Sequence, residues 1–376
     1  MDFVELDLDL AHLPPQPARS DYAIGAVGAG FIMRDVQLVA YRNAGYNVAA
    51  ITSRTPEIAR EVADLRAIPR VYDNLDDMLD SGTIDILDVA VPPDQQLGIV
   101  RKAVRRKRRV KGILAQKPLA TNLEDACAIV GLCRDAGVRL AVNQNMRYDH
   151  SIRALHTLLE RGYLGEPVLA TIEMRAVPHW QRWLHDYGRL TLLNVSVHHL
   201  DCFRFLFGTP DSVYASVRRD PRTKFAHEDG ICLYVLEYEN GLRAAGWDDV
   251  WAGPKAPGNE QDFYIKWRVE GTEGIAEGTV GWPQYPDRRP STLRFSTNRQ
   301  PNAWITPQWR EAWFPDAFEG PMGALMDAVA RDVEPENSGE DNLDTMAVIE
   351  ACYRSVAERR SVRISEIRNV AEQTGV

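Results

Sequence analysis

The chain is poor in cysteine: Cys127, Cys133, Cys202, Cys232 and Cys352 are the only five in 376 residues. The count is odd, none are paired as CxxC, and no spacing suits a metal, which excludes a disulfide framework and a zinc module. Each thiol sits among apolar neighbours, where cysteine packs as a small hydrophobe. The expected setting is a reducing, cytoplasmic one. No apolar run is long enough to span a bilayer, and no N-terminal stretch has the basic-then-apolar form of a signal peptide. Positive charge is not in excess either. The net charge is −9, which argues against a nucleic-acid partner. One local exception, Arg105-Arg106-Lys107-Arg108-Arg109-Val110-Lys111, carries no interleaved aromatics to stack on bases and reads as a solvated helix end. Repeats and low-complexity tracts are absent.

What is present is an ordinary globular composition, 45% hydrophobic and 26% charged, on a chain long enough for two domains. Its most telling stretch is Gly25-Ala26-Val27-Gly28-Ala29-Gly30-Phe31-Ile32-Met33, between an apolar run (Tyr22-Ala23-Ile24) and a helix-like segment through Tyr41. Strand, glycine turn and helix form the context of a dinucleotide fingerprint. Gly28 suits a tight turn, and Gly30 lets the backbone approach a pyrophosphate held at the helix N-terminus. The third glycine of the usual pattern is Met33, which spaces helix and strand further apart.

Downstream the pattern alternates strands (46–53, 71–72, 84–91, 112–115, 139–142) with helices (56–65, 75–79, 95–106, 123–136). This predicts an α/β, doubly wound parallel sheet, with the ligand off the carboxyl ends of its strands. After Tyr148 strands follow one another with few helices between: 168–176, 211–218, 232–238, 243–248, 264–271, 274–279 and 292–295. That predicts an α+β domain with a large, open, mostly antiparallel sheet. Helices at 152–161 and 194–207 would cover one face, and a second copy of the chain the other. The expected layout is an N-terminal arm over 1–20, a dinucleotide-binding domain over 21–147 and a substrate and oligomerisation domain over 148–376. In the last of these, 281–318 reads as largely irregular, and helices at 320–332 and 343–359 pack back on the body.

Three groups of residues could do chemistry. Gln116-Lys117-Pro118 follows the strand at 112–115, at the carboxyl edge of the sheet. A lysine there is partly desolvated, which lowers its pKa towards neutrality and suits proton exchange. The alternative is a surface lysine lying along apolar neighbours. In the second group, Asn194-Val195-Ser196-Val197-His198-His199-Leu200-Asp201, residues 194 and 198 share a helix face, as do 198 and 201. His198 is placed to donate or accept a proton, Asp201 to orient it or pair with Arg204, and His199 to pack. No metal is expected. The third group, Arg175, His179, Trp180, Trp183, His227, Glu228, Asp229, Trp247, Asp248 and Asp249, suits either a polyol or a sheet interface in an oligomer.

The chain from Tyr22 to about Ile367 resembles the glucose–fructose oxidoreductase / inositol dehydrogenase / rhizopine-catabolism (Gfo/Idh/MocA) family. The resemblance rests on the glycine turn, on Val91-Pro92-Pro93, on Gln116-Lys117-Pro118, on Asn143-Gln144-Asn145-Met146-Arg147-Tyr148, on the helix from Asn194 to Asp201, and on Ala351-Cys352-Tyr353-Arg354-Ser355. It implies NAD(P)-dependent oxidation of a secondary alcohol, or the reverse, on sugars, sugar derivatives or cyclitols. It assigns acid and base roles to Lys117 and His198. It implies substrate contacts at Asn194, Arg147, Trp180 and Asp201, and cofactor contacts at Gly28, Gly30, Phe31, Ile32, Pro92, Gln96, Gln116, Lys117 and Asn145. Two departures stand out. The family carboxylate four residues before the histidine is Asn194, which would hold a hydroxyl rather than relay a proton. The family glutamate before the lysine is Gln116, which removes a charge and favours the neutral amine.

The second strand ends Ile51-Thr52-Ser53-Arg54-Thr55. It has no carboxylate to hold a ribose 2′-hydroxyl, whereas Ser53 and Arg54 suit a 2′-phosphate. The expectation is NADP(H) in preference to NAD(H), in a homodimer or homotetramer built on the C-terminal sheet. Two alternatives use the same fold: an NAD-dependent glycoside hydrolase or lyase, and a dinucleotide-binding sensor without catalysis.

Overall fold

The computed structural model describes residues 6–179, 181–251, 253, 262–283 and 285–373. The chain divides into two units. One comprises residues 14–148 and 315–346. Its strands β1 (Ile24–Val27), β2 (Val48–Thr52), β3 (Val71–Tyr72), β4 (Ile86–Val89), β5 (Gly112–Ala115) and β6 (Arg139–Val142) pair in parallel in the order β3-β2-β1-β4-β5-β6. The order reverses between β1 and β4, the switch point of a doubly wound sheet. A π-helical turn, Ile32–Gln37, runs into α1 (Leu38–Ala44), followed by α2 (Pro56–Arg66), α3 (Leu75–Asp80), α4 (Pro93–Val104) and α5 (Leu123–Ala136). Local chemistry sets these boundaries. Pro56 opens α2 at its first turn. Asn74 and Asn122 cap α3 and α5 by accepting from the backbone N–H of Asp77 and Asp125. Gly137 ends α5 in the left-handed region.

Residues 315–346 belong to this unit, where the sequence pattern places them in the second domain. The helix Glu319–Arg331 packs over β5, close enough that a Cβ on Gly112 would lie 3.0 Å from Leu325. Asn337 then closes the edge of β6: its carbonyl accepts from Val142 N–H at 2.8 Å and its side chain donates back to the Val142 carbonyl at 2.8 Å. An otherwise open strand edge is thereby satisfied.

The other unit comprises residues 6–13, 149–314 and 347–373. Its nine strands are β7 (Pro167–Arg175), β8 (Ser212–Arg218), β9 (Ile231–Glu237), β10 (Arg243–Asp249), β11 (Tyr264–Gly271), β12 (Gly274–Thr279), β13 (Thr292–Thr297), β14 (Gln300–Ile305) and β15 (Val362–Arg363). They are ordered β14-β13-β12-β11-β7-β10-β9-β8-β15, antiparallel except for β7 with β10. Period-two alternation separates the faces. Ala170, Ile172, Cys232, Leu236, Ile265, Trp267, Ala276 and Phe295 are buried on the face that α6 (His150–Glu160) and α7 (Val197–Phe207) cover. Trp267 completes that packing by donating its indole N–H to Ser151 Oγ at 3.0 Å. The opposite face presents Tyr214, Leu233 and Val235, with Leu233 53% exposed. Beside them runs a charged row in which Arg268 and Arg294 both pair with Glu277. Strand β14, inside the segment expected to be irregular, and the helix Ile364–Gln373 are additions to the sequence-based layout. Among the described residues no helix is long and apolar enough to cross a membrane.

Candidate active site

In the first unit, β1 ends at Val27 and Gly28 turns the chain with φ +103°; a Cβ there would lie 2.3 Å from the Ala90 carbonyl oxygen. No side chain fits that turn. The turn is strapped to its neighbours: Gly28 N–H donates to Thr52 O, and Ala90 N–H to Val27 O, both at 2.9 Å. Gly30 differs, since a Cβ there would meet nothing within 4 Å. The missing side chain at 30 therefore answers no demand of the protein's own packing. Helix formation begins at once, with Arg34 N–H bonded to Gly30 O at 2.8 Å, so the first-turn N–H groups of Phe31 and Ile32 sit beside the turn. Ser53 and Arg54 follow β2. Ser53 Oγ accepts from Thr55 N–H at 3.2 Å, and Arg54 is exposed. Pro92 caps α4. These residues lie at the carboxyl ends of the parallel strands, where a doubly wound domain holds a dinucleotide.

Lys117 lies just past β5, with a cis peptide bond to Pro118. Burial pulls its amine down from 10.5 to about 7. The turn that holds it is built by glutamines. Gln96, fully buried on α4, accepts from Gln116 N–H at 2.7 Å. The same side chain shares its own N–H groups among the carbonyls of Gln116, Pro118 and Leu119 at 2.9 to 3.0 Å. Expected as a cofactor contact, Gln96 acts on this geometry through the turn it clamps. Gln116 Oε1 accepts from Lys117 N–H at 3.0 Å. Asn145 lies in the buried 3-10 turn Asn145–Tyr148 and donates to Asn143 O at 3.0 Å. Arg147 in the same turn is buried. It is held within its own unit by an ion pair to Asp341 and a bond to the Glu336 carbonyl, a structural use the sequence did not reveal.

In the second unit, the helix bearing Asn194 and His198 opens as a π turn, Leu192–Ser196, before α7. π turns within helices are often found at functional sites. This one is anchored by Asp229, whose carboxylate accepts from the backbone N–H of Leu190 (2.7 Å), Thr191 (3.1 Å) and Leu192 (2.7 Å) and from the Tyr353 hydroxyl (2.9 Å). Burial nevertheless dominates and raises the Asp229 pKa. His198 stands edge-on to the buried Trp313, with ring centroids 5.1 Å apart. His199 is fully buried with Nδ1 2.9 Å from Asp248, whose other oxygen accepts from Ser196 Oγ. Asp201 is buried in the same helix.

The third group resolves largely into pairs: Arg175 with Asp262, Asp249 with Arg222, and His179 with Thr223. Trp247 stands on the open sheet face with Arg175 5.7 Å from its ring. Trp180 lies outside the described residues. Among those described, no three His, Cys, Asp or Glu side chains come together as a metal site. Sequence reasoning missed Asp229's capping role, Trp313, Asp88 on β4, and Gln37 and Tyr41 on the helix that reaches it. A carboxylate within the apolar run of β4 is the signal that would have found them.

A doubly wound sheet with a glycine turn, a desolvated lysine at a strand end, and an open-sheet α+β unit define the class of nicotinamide-dependent oxidoreductases. The model of an oxidoreductase family with an NAD-binding Rossmann fold matches residues 22–144, and that of its C-terminal alpha/beta domain matches residues 156–364. The chain belongs to the Gfo/Idh/MocA oxidoreductase family. It is 28% identical over 344 residues to the D-apiose dehydrogenase of Rhizobium rhizogenes, covering 90% of this chain and 96% of that one. It is 25% identical over 344 residues to the D-xylose 1-dehydrogenase (NADP(+)) 2 of Haloferax volcanii, covering 90% and 99%. An oxidoreductase from Agrobacterium radiobacter, solved with NAD+, L-tartaric acid and magnesium, matches with a TM-score of 0.77 and 25% identity over 92% of this chain and 99% of that one.

Proposed function

We propose that this chain is an NADP(H)-preferring oxidoreductase of sugars, sugar derivatives or cyclitols. The bound nicotinamide would exchange a hydride with the carbinol carbon. Lys117, neutral for much of the time near pH 7, takes the hydroxyl proton as the alcohol becomes a ketone, and returns it in the reverse direction. His198 assists that transfer, and Asn194 holds a substrate hydroxyl. Gly28, Gly30, Phe31, Ile32, Pro92, Gln116 and Asn145 would cradle the cofactor, with Ser53 and Arg54 at the 2′-phosphate. Among the described residues four of the five cysteines are buried and none forms a disulfide, which fits a reducing cytoplasm. The apolar stripe Tyr214–Leu233–Val235 on the open sheet face fits a second copy of the chain, giving a dimer or tetramer.

The observation that carries this reading is a lysine with a pKa of about 7 in the same unit as a glycine turn whose Gly30 answers to no packing constraint. The test is absorbance at the reduced-nicotinamide band with pentoses, pyranoses, sugar acids and cyclitols, each with NAD+ and NADP+, for the wild type and Arg54→Ala. Turnover with NADP+ that falls selectively in the variant supports the reading. Turnover equal with both cofactors would remove Ser53 and Arg54 as the phosphate site. Cofactor binding without any change in absorbance across the panel would favour the hydrolytic or sensor alternative.

A further inference from the structure

Asp88 is a carboxylate in the middle of the sheet, on β4 between β1 and β5, and it is 1% exposed. Three hydrogen bonds hold it there. Gln37 Nε2 donates to Oδ1 at 3.0 Å and to Oδ2 at 2.8 Å, and the Tyr41 hydroxyl lies 2.8 Å from Oδ2. Gln37 ends the π turn that follows the glycine turn, and Tyr41 is one helical turn further on. Both are buried.

This arrangement determines which way round the Gln37 amide must lie. Both Asp88 oxygens lie within 3.0 Å of the same Gln37 nitrogen, and an ionised carboxylate only accepts, so the NH2 end of Gln37 faces Asp88 and Oε1 faces away. That Oε1 accepts from Gln116 Nε2 at 3.3 Å. Gln116 is oriented in turn: its NH2 end is committed to Gln37, and its Oε1 accepts from Lys117 N–H. A one-directional chain of hydrogen bonds therefore runs from the centre of the sheet, through the helix beside the glycine turn, to the backbone of Lys117.

We propose that Asp88 is a positioning residue. By fixing the Gln37 amide it makes a hydrogen-bond donor compulsory at position 116, and so it holds the turn that presents Lys117. This deepens the proposed function, since it rests on Lys117 being the proton-transferring group. It also explains why this chain has glutamine where the family resemblance leads one to expect glutamate. An ionised carboxylate at 116 has no hydrogen to give Gln37 Oε1, and Gln37 cannot reverse its amide without setting an oxygen against the ionised Asp88.

The test is a suppressor experiment on Gln116→Glu, Asp88→Asn and the double variant. Asp88→Asn keeps an acceptor for Gln37 and should by itself change kcat less than about threefold. Gln116→Glu should lower kcat on the order of tenfold or more, as displacement of a reacting group does. In the double variant the asparagine amide introduced at position 88 can donate to a reversed Gln37, whose NH2 end then reaches the carboxylate introduced at position 116. There kcat should recover most of the loss.

Hydrogen exchange of the 116–119 backbone, read by mass spectrometry, follows the same turn with no substrate present. It should quicken in Gln116→Glu and slow again in the double variant. A tolerated Gln116→Glu with an undisturbed turn, or a double variant no better than the single one, would overturn the proposal. Because the exchange arm needs no turnover, inactivity of every variant and of the wild type would count against the proposed reaction and not against the chain of bonds.

Discussion

Replacing Lys117 by methionine should make the protein more stable while stopping turnover, and the gain should depend on pH. The unfolded chain holds this amine at about 10.5 and the folded chain at about 7, with burial as the cause. A group whose folded pKa is depressed weakens the fold wherever the ammonium form is populated, fully below the folded pKa, and the effect disappears as pH rises past the unfolded value. The displacement corresponds to on the order of 5 kcal/mol at pH 6, about 3 at pH 8 and about 1 at pH 9.5. Part of the Lys117 surface stays accessible, so the lower half of each figure is the expected one. Methionine has a similar length and no charge to desolvate. Urea denaturation of both proteins at those three pH values reads the difference directly. Asp88 does not disturb the comparison, although it also titrates. Burial raises its carboxyl to about 7, which removes stability as pH climbs from about 4 to 7, and it is present in both proteins. A stability gap that stays constant from pH 6 to 9.5 would refute a lysine poised near neutrality, and wild-type turnover in the variant would remove it from the reaction.

Further expectations follow from the same geometry. Gly30→Ala should leave unfolding stability within about 0.5 kcal/mol of wild type while weakening NADP+ binding in calorimetry, because the added methyl meets no protein atom. Gly28→Ala should instead destabilise by more than about 1 kcal/mol, given its positive φ and the Ala90 carbonyl. Asp229→Asn sets an NH2 group among three backbone N–H donors. It should lower stability by about 1–3 kcal/mol in urea titrations, with loss of activity as the His198 helix frays. Leu233→Glu places a charge in the exposed stripe of the open sheet face. It should reduce the mass found by light scattering, and an unchanged mass would move the interface elsewhere.

The parallel sheet is legible because each of its longer strands is a short apolar run between a turn and an amphipathic helix, a pattern that implies parallel pairing with right-handed crossovers. The second sheet is legible through alternation, until the alternation weakens. Strand β14 carries Pro301 and an Asn302 with φ +66°, and its side chains are mostly exposed, so it shows neither period nor apolar content. Its pairing with β13 supplies what its sequence does not. The helix Gly339–Glu358 begins four residues before the expected start, although the signal is present. Ser338 Oγ accepts from Asp341 N–H at 3.1 Å, and Ser-Gly-Glu-Asp resembles a capping box. Residues 315–346 follow the second domain in sequence but cluster with the parallel sheet, where the bare edge of β6 is closed by Asn337.

The candidate site divides along a similar line. Gly28, Gly30, Lys117 and the Asn194–His198 helix can be picked out from sequence because chemistry at strand ends and helix starts leaves a local spacing behind it. The residues that orient them leave none. Asp229 acts on a segment nearly forty positions earlier, and Asp88 acts through Gln37 on a turn almost thirty positions later. Each carries a polar group into the interior, where it is tolerated only if its hydrogen bonds are met. An acidic residue inside an apolar strand is therefore a sequence-level marker that a partner exists, even where the partner cannot be named. Asp88 is that marker in β4, and its partner Gln37 imposes on position 116 a choice that the resemblance alone presented as an unexplained departure.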